Sequence, residues 1–399
     1  MARGDLTRLD MLVNVRFPGS RAHGIQVAAM ATALADAGLA VEVLAPRRVP
    51  QADLDPWQHY GVRRNFLVQH LANLDLIDLM PPRLQRVPFL LQSLSFGMRA
   101  LTRVVSERSS GVLVRDHYTT ALLAASLREH DLARLAAEVH NLPAPGRRRR
   151  RAVRALSKLP AVITISDGLR DDLLAEGLPG ERVLVARDGV DLARFGELPS
   201  REAARAELQL PVDQPLVVYA GQLYAWKGVD VLVEAMQHVP DAGLLIVGGS
   251  PDELPRVEAA AARCVPERSR LTGQVPPSHV PFYLAAADVI ALPNSGTSEI
   301  SARYTSPLKL FEGMASERAL IASNLPSLGE VLTHDHNAWM VAPDDPAALA
   351  EGLRTLLGDA SLRERLATRA RRDVNDYTWT ARGAHVARFL RERLTVGAH

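Results

Sequence analysis

The stretch LVVYAGQLYAWKGVDVLVEAMQH, residues 216–238, decides the fold class of this chain. Its first residues, Leu216–Tyr219, form an apolar, β-branched run that predicts a buried strand. A loop bounded by Gly221 and Gly228 follows, and Val229–His238 then places apolar residues at helical spacing. A strand, a glycine-bearing loop and a helix in this order are typical of a parallel α/β sheet.

The same order of elements opens the chain, where Leu12–Arg16 predicts a strand, Phe17–Gly24 a loop and Ile25–Ala37 a helix. Further apolar runs predict more strands: Val41–Leu44, Val112–Val114, Ala137–Val139, Ala161–Ile165, Arg182–Val185, Leu244–Val247, Val289–Leu292, Leu320–Ala322 and Ala338–Val341. Residues 51–101 allow only loosely placed helices. We therefore predict an α/β fold of two doubly wound, Rossmann-like domains, joined near residue 195, with the site in the cleft between them.

Composition excludes several classes of protein. With 399 residues, 47% hydrophobic and 23% charged, the chain exceeds one ordinary domain and is not disordered. The single cysteine, Cys264, excludes an intramolecular disulfide framework and indicates a reducing compartment. The longest apolar stretches, Val87–Met98 and Tyr283–Pro293, are shorter than the ~20 residues that span a bilayer. Because Asp5 and Asp10 stand where a secretion signal would be apolar, we expect a cytoplasmic protein.

Five consecutive arginines, Arg147–Arg151, are the densest local charge in a chain whose net charge is only +2. Two interpretations stay open. The run begins a solvated helix after the Pro143–Gly146 breaker, which we favour, or it contacts an anionic surface such as the inner face of a membrane. No aromatic residues alternate with the arginines, so we expect no nucleic-acid partner.

The sequence TSPLKLFEGMA, residues 305–315, predicts an anion-binding helix terminus. Ser306 suits the N-cap and Pro307 the first helical position. The next two N–H groups have no intrahelical partner and suit a phosphate. Glu312 lies one turn further along, where its carboxylate could accept hydrogen bonds from two ribose hydroxyls. A capped surface helix with an exposed glutamate explains this segment alone equally well.

Lys227, in the loop after Leu216–Tyr219, could contact the same ligand. An ammonium group there would neutralise a leaving diphosphate without a metal ion. The alternative is an ordinary solvated loop lysine. The loop does not match the Walker phosphate-binding motif, which places Ser or Thr after its lysine, because Gly228 stands there.

Together these motifs resemble the retaining GT-B glycosyltransferases of the family-4 type. The matches run in order through nearly the whole chain: Gly19–Gln26, Glu138-Val-His140, Ile165-Ser166, Asp188-Gly-Val-Asp191, Gly221-x5-Lys227-Gly228, Gly248-Gly249, Ser306–Glu312, Pro326–Val331 and Tyr377-Thr-Trp379. The resemblance implies an acceptor-side domain over residues 1–195, completed by a C-terminal helix over 378–399. It implies a donor-binding domain over 196–377.

The resemblance also implies transfer of a sugar from a nucleotide diphosphate sugar to an acceptor hydroxyl with retention of configuration. It implies His140, Lys227 and Glu312 as the catalytic residues, at the reacting sugar, the diphosphate and the ribose. The donor would contact a wider set: Gly19, Gly24, Gln222, Lys227, Gly248, Gly249, Ser250, Val275, Glu299, Tyr304, Ser306, Pro307, Leu308, Lys309 and Glu312. We favour UDP over GDP as the nucleotide, and we expect no metal ion and no cofactor. The acceptor would be a sugar, a lipid-linked molecule or another small molecule.

Two positions depart from the family's pattern. Gln222 stands where the family usually has an arginine, which removes one cation from the diphosphate. Tyr304 stands at the first position of the Glu-x7-Glu pattern, whose glutamate commonly binds sugar hydroxyls. Glu299 lies nearby in sequence and could replace that glutamate. The sugar half of the site is therefore more affected than the nucleotide half.

Other readings of the motifs remain. A nucleotide-sugar epimerase could use His140 and Glu299, and a non-catalytic sugar-binding protein could have the same two domains. Asp53-Leu-Asp55 matches the metal-binding motif of GT-A transferases but follows no clear strand. His334-Asp-His336 has no third ligand nearby in sequence, so a polar turn explains it better than a metal site.

Overall fold

The computed structural model describes residues 3–19, 22–48, 54–107 and 110–397. The chain divides into two compact units, Met1–Arg187 with Trp379–His399, and Asp188–Thr378. Residue 195, where we predicted the division, lies inside the second unit, and Val190 and Phe195 are buried in that unit's core. Across the described ranges, no helix is both long and apolar enough to cross a membrane.

The first unit contains a seven-stranded parallel sheet. Element labels run in chain order over both units. The strands of this sheet are β2 (Arg8–Leu12), β3 (Ala40–Pro46), β4 (Leu67–Leu71), β5 (Gly111–Val114), β6 (Leu135–Val139), β7 (Ala161–Thr164) and β8 (Val183–Val185). The unit also contains the short strands β1 (Arg3–Gly4) and β15 (Val396–Gly397). The sheet order is β4-β3-β2-β5-β6-β7-β8, and β1 pairs separately and antiparallel with β15. Every residue of β5, β6 and β7 is buried, as expected for a parallel sheet covered on both faces.

Helices cover this sheet. They are α1 (Ala22–Asp36), α2 (Pro56–Tyr60), α3 (Arg86–Ser106), α4 (His117–Ser126), α5 (Glu129–Leu132), α6 (Arg147–Leu156), α7 (Asp167–Ala175) and α16 (Trp379–Arg393). The C-terminal helix α16 packs on α1 so closely that Gly383 lies against the backbone of Ala33.

The second unit contains a six-stranded parallel sheet of order β11-β10-β9-β12-β13-β14. Its strands are β9 (Leu216–Ala220), β10 (Gly243–Val247), β11 (Ser269–Leu271), β12 (Val289–Leu292), β13 (Ala319–Ser323) and β14 (Trp339–Val341). Its helices are α8 (Arg201–Glu207), α9 (Val229–Ala235), α10 (Leu254–Cys264), α11 (Val280–Ala285), α12 (Leu308–Ala315), α13 (Pro326–Gly329), α14 (Pro346–Gly358) and α15 (Ala360–Asp373). Tyr219 of β9 lies opposite Ile246 of β10, so the two strands end side by side.

The structure differs from the sequence-based elements where charged residues enter a strand. We predicted the first strand at Leu12–Arg16, but β2 begins at Arg8 and ends at Leu12. Asp10 is buried in β2 because Arg103 of α3 donates to its carboxylate over 3.3 Å. The edge strands β4 and β11 were not predicted either, since neither is a continuous apolar run.

We predict that Gly383→Ala destabilises the first unit. A Cβ at Gly383 would lie 2.6 Å from three atoms of Ala33, and such overpacking costs about 1–3 kcal/mol. Gly358→Ala is the control, because a Cβ there meets nothing within 4 Å. Urea unfolding should show a lower midpoint for Gly383→Ala alone. Equal midpoints for the two variants would contradict the close packing of α1 and α16.

Candidate functional site

In the second unit, the loops that follow β9 and β10 touch at two glycines. Gly221 donates from its N–H to the carbonyl of Val247 over 2.8 Å. A Cβ on Gly248 would lie 2.3 Å from the carbonyl oxygen of Gly221. Both glycines have positive φ, +145° and +111°, which residues with a side chain rarely adopt. The two glycines therefore allow the loops to pack against each other at the carboxyl ends of β9 and β10, where parallel α/β sheets bind their ligands.

Lys227 ends a short 3-10 turn in the loop after β9. Its Nζ lies 3.9 Å from the centroid of the Trp226 ring. Burial lowers the pKa of Lys227 to about 8. This environment does not agree with the alternative of an ordinary solvated lysine, whose pKa would be close to its usual value.

Lys309 supplies a second ammonium group, which our sequence analysis considered only for its backbone N–H. Its Nζ is buried and has no hydrogen-bond partner among the described residues. It lies 4.5 Å from the centroid of the Tyr219 ring. Burial, and then repulsion from Lys227, hold the pKa of Lys309 well below its usual range. The two lysines are therefore close enough for each charge to disfavour the other.

Lysine is rare in this chain: only Lys158, Lys227 and Lys309 occur among 47 lysines and arginines. Two of the three lie together and without an acidic partner in the part of the chain that the structure describes. Buried like charges are unfavourable unless an anion offsets them. This arrangement is that of an anion site, and two positive charges suit a diphosphate.

The start of α12 differs from our prediction. The N-cap is Pro307 and not Ser306, and no side chain caps the helix. The hydroxyl oxygen of Ser306 instead accepts from the N–H of Asp188 over 2.9 Å. The N–H groups of Leu308 and Lys309 precede the first intrahelical bond, which Leu310 donates to Pro307. The N-terminus of α12 thus still presents free N–H donors. The hydroxyl of Ser306 links the backbone of Asp188 to the start of this helix.

Glu312, one turn along α12, is mostly buried, with 19% of its side chain exposed. Burial raises its pKa, and the positive charge of Arg194 opposes that shift. The Arg194 guanidinium lies 3.8 Å from the Glu312 carboxylate. Arg194 was missed from the sequence because 118 residues separate the pair. The interpretation of Glu312 as an exposed surface residue is therefore wrong.

Tyr304, which occupies the first position of the Glu-x7-Glu pattern, forms a hydrogen bond with the nearby Glu299. Tyr304 is buried at the end of a π-helical turn, Ile300–Tyr304, and its hydroxyl donates to the Glu299 carboxylate over 3.0 Å. The exposed Glu299 is thus held by the residue that replaces the family's glutamate. A π-helical turn is uncommon and is found frequently at functional sites.

The remaining predicted donor contacts lie beside the glycines. Gly248 donates to the carbonyl of Gly273 over 2.9 Å, and Ser250 donates to the Glu253 carboxylate over 2.9 Å. Val275 packs partly buried against the core. Gln222 accepts at its carbonyl from the hydroxyl of Tyr219 over 2.5 Å, so the loop is fixed through its backbone. Gly249 has φ +89°.

In the first unit, His140 is part of a charged cluster at the end of β6. Its Nε2 lies 2.9 Å from the Glu138 carboxylate and 2.9 Å from the Arg115 guanidinium. Glu138 also accepts from Arg382 of α16 over 3.1 Å. Burial would raise the pKa of Glu138, but Arg115 and Arg382 hold it well below its usual range. His140 is therefore oriented by a carboxylate that stays ionised.

The glycine loop of the first unit is braced by Tyr60. The Tyr60 hydroxyl donates to the carbonyl of Gly19 over 2.8 Å and accepts from its N–H over 2.7 Å. A Cβ on Gly24 would lie 2.2 Å from that hydroxyl oxygen. His23, which our sequence analysis missed, lies with its ring centroid 5.6 Å from that of His140. Burial, and then Arg115, lower the pKa of His23 to about 3.

The alternative metal motifs have other partners. Asp55 caps α2 by accepting from the N–H groups of Trp57 and Gln58, while Asp53 lies outside the described residues. His334 accepts at Nδ1 from the N–H of Met340 over 3.0 Å. Within the described ranges, no three His, Cys, Asp or Glu side chains are grouped as metal ligands.

Comparison with known proteins first defines the class. The chain superposes over 97% of its length on a sucrose-phosphate synthase from Thermosynechococcus elongatus, with a TM-score of 0.78, 20% identity and 98% of that chain covered. It also superposes over 96% of its length on HepE from Anabaena in complex with UDP-glucose, with a TM-score of 0.73, 16% identity and 99% of that chain covered. The two Rossmann-like units are thus those of the GT-B fold.

Sequence comparison then gives the family. Residues 24–194 match the model for Glycosyltransferase Family 4, and residues 200–373 match the model for Glycosyl transferases group 1. The chain belongs to the family-4 type of GT-B glycosyltransferases. A D-inositol 3-phosphate glycosyltransferase from Xylanimonas cellulosilytica is 34% identical over 209 residues, 50% of this chain and 48% of that protein. The chain therefore spans about half the length of this curated relative.

We predict that UDP binding weakens as the pH rises above about 8. Lys227 is protonated below its pKa of about 8 and loses its charge above it, and binding a diphosphate then requires uptake of a proton. At pH values well above the pKa, the need to take up one proton raises the Kd about tenfold per pH unit for one lysine. Calorimetry between about pH 7.5 and 9.5 avoids the titration of the phosphate itself, near pH 6. Lys227→Arg removes the part of this dependence that belongs to Lys227, because a guanidinium stays charged, and the slope that remains is that of Lys309. A Kd for the wild type that does not change over this range would contradict the assignment.

Proposed function

We propose that this protein transfers a sugar from a nucleotide diphosphate sugar, with UDP as the nucleotide, to an acceptor hydroxyl with retention of configuration. The observation that carries the proposal is a pair of neighbouring lysines: Lys309, whose buried Nζ has no hydrogen-bond partner among the described residues and which lies one turn before Glu312 on α12, and Lys227 of the loop after β9. The two ammonium groups and the free N–H groups of α12 suit the diphosphate of such a donor. The carboxylate of Glu312 suits its ribose.

The diphosphate binds at the start of α12. The N–H groups of Leu308 and Lys309 and the positive end of the helix dipole contact its oxygens. The ammonium groups of Lys227 and Lys309 offset the charge that grows on the leaving diphosphate. Lys309 thereby supplies the cation that is lost where Gln222 replaces the family's arginine. A metal ion is not needed for this neutralisation.

The nucleoside extends from the diphosphate towards the glycines of the second unit. Glu312 accepts from the ribose hydroxyls, and the positive charge of Arg194 opposes the rise in the pKa of Glu312 that burial causes. The base lies against Gly248–Ser250 and Val275, where the backbone can approach a flat ring. UDP is favoured because HepE structures contain UDP and UDP-glucose.

In the second unit, Glu299, which Tyr304 orients, holds the donor sugar. In the first unit, His140, which Glu138 orients, is the candidate catalytic residue. The acceptor oxygen forms a bond to the anomeric carbon as the bond to the diphosphate oxygen breaks. The acceptor's proton passes to the departing diphosphate on the same face, so configuration is retained without a covalent enzyme intermediate. The protein's part is stabilisation of the charge on the diphosphate and of the oxocarbenium-like sugar.

A product assay with UDP-, GDP- and ADP-sugars, with and without a chelator, tests this function. We expect transfer that the chelator leaves unchanged. Lys227→Ala and Lys309→Met should each lower kcat by ~10²–10³-fold, since leaving-group charge grows in the transition state. Lys158→Ala is the matched control, because Lys158 lies in the first unit and donates to the carbonyl of Ala124.

Other outcomes of this assay would support a different function or contradict the proposed site. An isomerised nucleotide sugar would identify an epimerase, and binding without turnover would identify a binding protein. Loss of activity with the chelator that manganese or magnesium restores would show that the lysines do not suffice. Unchanged kcat in both lysine variants would remove the proposed diphosphate site.

We predict that Glu312→Ala raises the KM for the donor more than it lowers kcat. The ribose does not react, so its hydrogen bonds contribute about equally in the ground and transition states. Two charge-assisted bonds should be worth roughly 10²–10⁴-fold in KM. Glu312→Gln should have a smaller effect, because it keeps one acceptor oxygen.

The sharper comparison uses a 2′-deoxyribose donor, which already lacks one of these bonds. The effect of Glu312→Ala should be smaller with this donor than with the normal one. Glu234→Ala, at an exposed position on α9, is the control. Equal effects of Glu312→Ala with both donors would show that Glu312 does not hold the 2′-hydroxyl.

A further inference from the structure

We infer that the first unit docks on an anionic membrane surface through an apolar face built by α3 and the segment before it, flanked by exposed arginines. The inference does not depend on the proposed sugar transfer. It rests on where large apolar side chains and positive charges are exposed.

The exposed side of α3 is apolar. Val87, Leu90, Leu91, Leu94 and Met98 are all exposed, with Val87 at 63% and Leu94 at 56%. Their spacing of three and four residues places them on one side of the helix, and Val105 continues the line for a total of about 27 Å. The opposite side is also apolar and is buried in the unit, as shown by Phe96, Ala100 and Val104. A helix that is apolar on both sides is normally covered on both.

The segment before α3 extends this surface. Leu74, Leu76, Leu79, Met80 and Leu84 are exposed, with Leu79 at 77%. The N–H of Leu74 donates to the hydroxyl of Ser95 over 2.9 Å, which fixes the segment beside α3. Of the seventeen exposed large hydrophobic side chains in the described residues, thirteen lie between Leu67 and Tyr118. These side chains are therefore grouped in one region, and such a patch indicates an interaction site. We call residues 74–98 of this surface the apolar face.

The charges around the apolar face are positive. α3 contains three arginines and no acidic residue, and Arg86 and Arg99 are exposed. The two acids of the preceding segment, Asp75 and Asp78, pair with Arg48 and Arg16.

The arginine run lies in the same helical layer, because α4 packs against both α3 and α6. Arg147, Arg148, Arg150 and Arg151 of α6 are exposed. Arg149 alone is buried, where it pairs with Asp172 and Glu176. Between the two helices, α4 exposes Tyr118, whose ring centroid lies 5.7 Å from that of Phe89. Tyrosine is a side chain that favours the membrane interface.

An anionic bilayer fits this combination better than the other candidates. Apolar side chains enter the boundary of the acyl chains, and arginines contact the lipid headgroups. A second copy of the chain, related by a two-fold axis, would bring the same arginines of both copies to one interface. On the proposed function, a membrane-bound first unit selects an acceptor that is itself part of the bilayer.

Co-sedimentation of the full chain with vesicles tests the inference. We expect binding to vesicles of phosphatidylcholine with phosphatidylglycerol, weaker binding to phosphatidylcholine alone, and partial release at about 0.5 M salt. The double variant Leu90→Ser/Leu94→Ser should lower the partition coefficient at least tenfold. Arg147→Gln/Arg150→Gln should lower it about fivefold per arginine.

Matched controls come from the second unit. Val212→Ser changes a side chain that is 41% exposed, and Arg263→Gln/Arg369→Gln changes two exposed arginines. Both should bind vesicles as the wild type does, and urea unfolding midpoints show that every variant is folded. Equal binding to both vesicle types, or equal binding by the test and control variants, would overturn the inference. So would a wild-type dimer in solution that Leu90→Ser/Leu94→Ser dissociates, since the apolar face would then bind a second copy. Binding by a chain without transferase activity would separate this inference from the proposed function.

Discussion

The candidate site of the second unit depends on two ammonium groups that have no acidic partner in the described part of the chain. Moving a charge out of water is unfavourable, and placing a like charge beside it is more so. The fold nevertheless fixes both groups. Lys227 lies over Trp226 and Lys309 over Tyr219, so each aromatic face gives part of the attraction that a counter-ion would give. The remaining imbalance favours any ligand that brings two negative charges.

In the first unit, by contrast, the buried charge has partners of opposite sign within the protein. Glu138 is fully buried, and Arg115 and Arg382 neutralise it from two different elements. Arg382 also donates to the carbonyls of Ala186 and Arg187, which follow the last strand of the sheet. The C-terminal helix is thus held to the first unit by charge as well as by the close packing at Gly383. Because Glu138 stays ionised, a charged carboxylate lies 2.9 Å from Nε2 of His140, and its position depends on Arg382, which is more than 200 positions away in sequence.

Sequence predicted the buried strands of both sheets because a parallel strand covered on two faces is a continuous apolar run. It failed where tertiary contacts change the meaning of a residue. Asp10 concealed the true start of β2 because its partner, Arg103, is distant in sequence. Ser306 is a good N-cap by type, yet its hydroxyl is already engaged by Asp188. The position of the Lys309 side chain beside the loop after β9 could not be predicted from spacing alone, since its direction depends on Tyr219 and Gly221.

Position 222 has glutamine where the family resemblance leads us to expect arginine, so the cation that lies beside this loop on α12 is the lysine Lys309. A Cβ on Gly221 would lie 3.7 Å from the Lys309 Cδ, so the lysine stem fills the space beside the loop. The Tyr219 hydroxyl binds the backbone of Gln222 and fixes the loop without a cation. A guanidinium would be charged whether or not a ligand is present, whereas a buried lysine gains charge as an anion arrives. On the proposed function, the two lysines limit their mutual repulsion in the free protein and reach full charge only when the diphosphate binds. Such a site avoids a permanent excess of buried charge in the free protein.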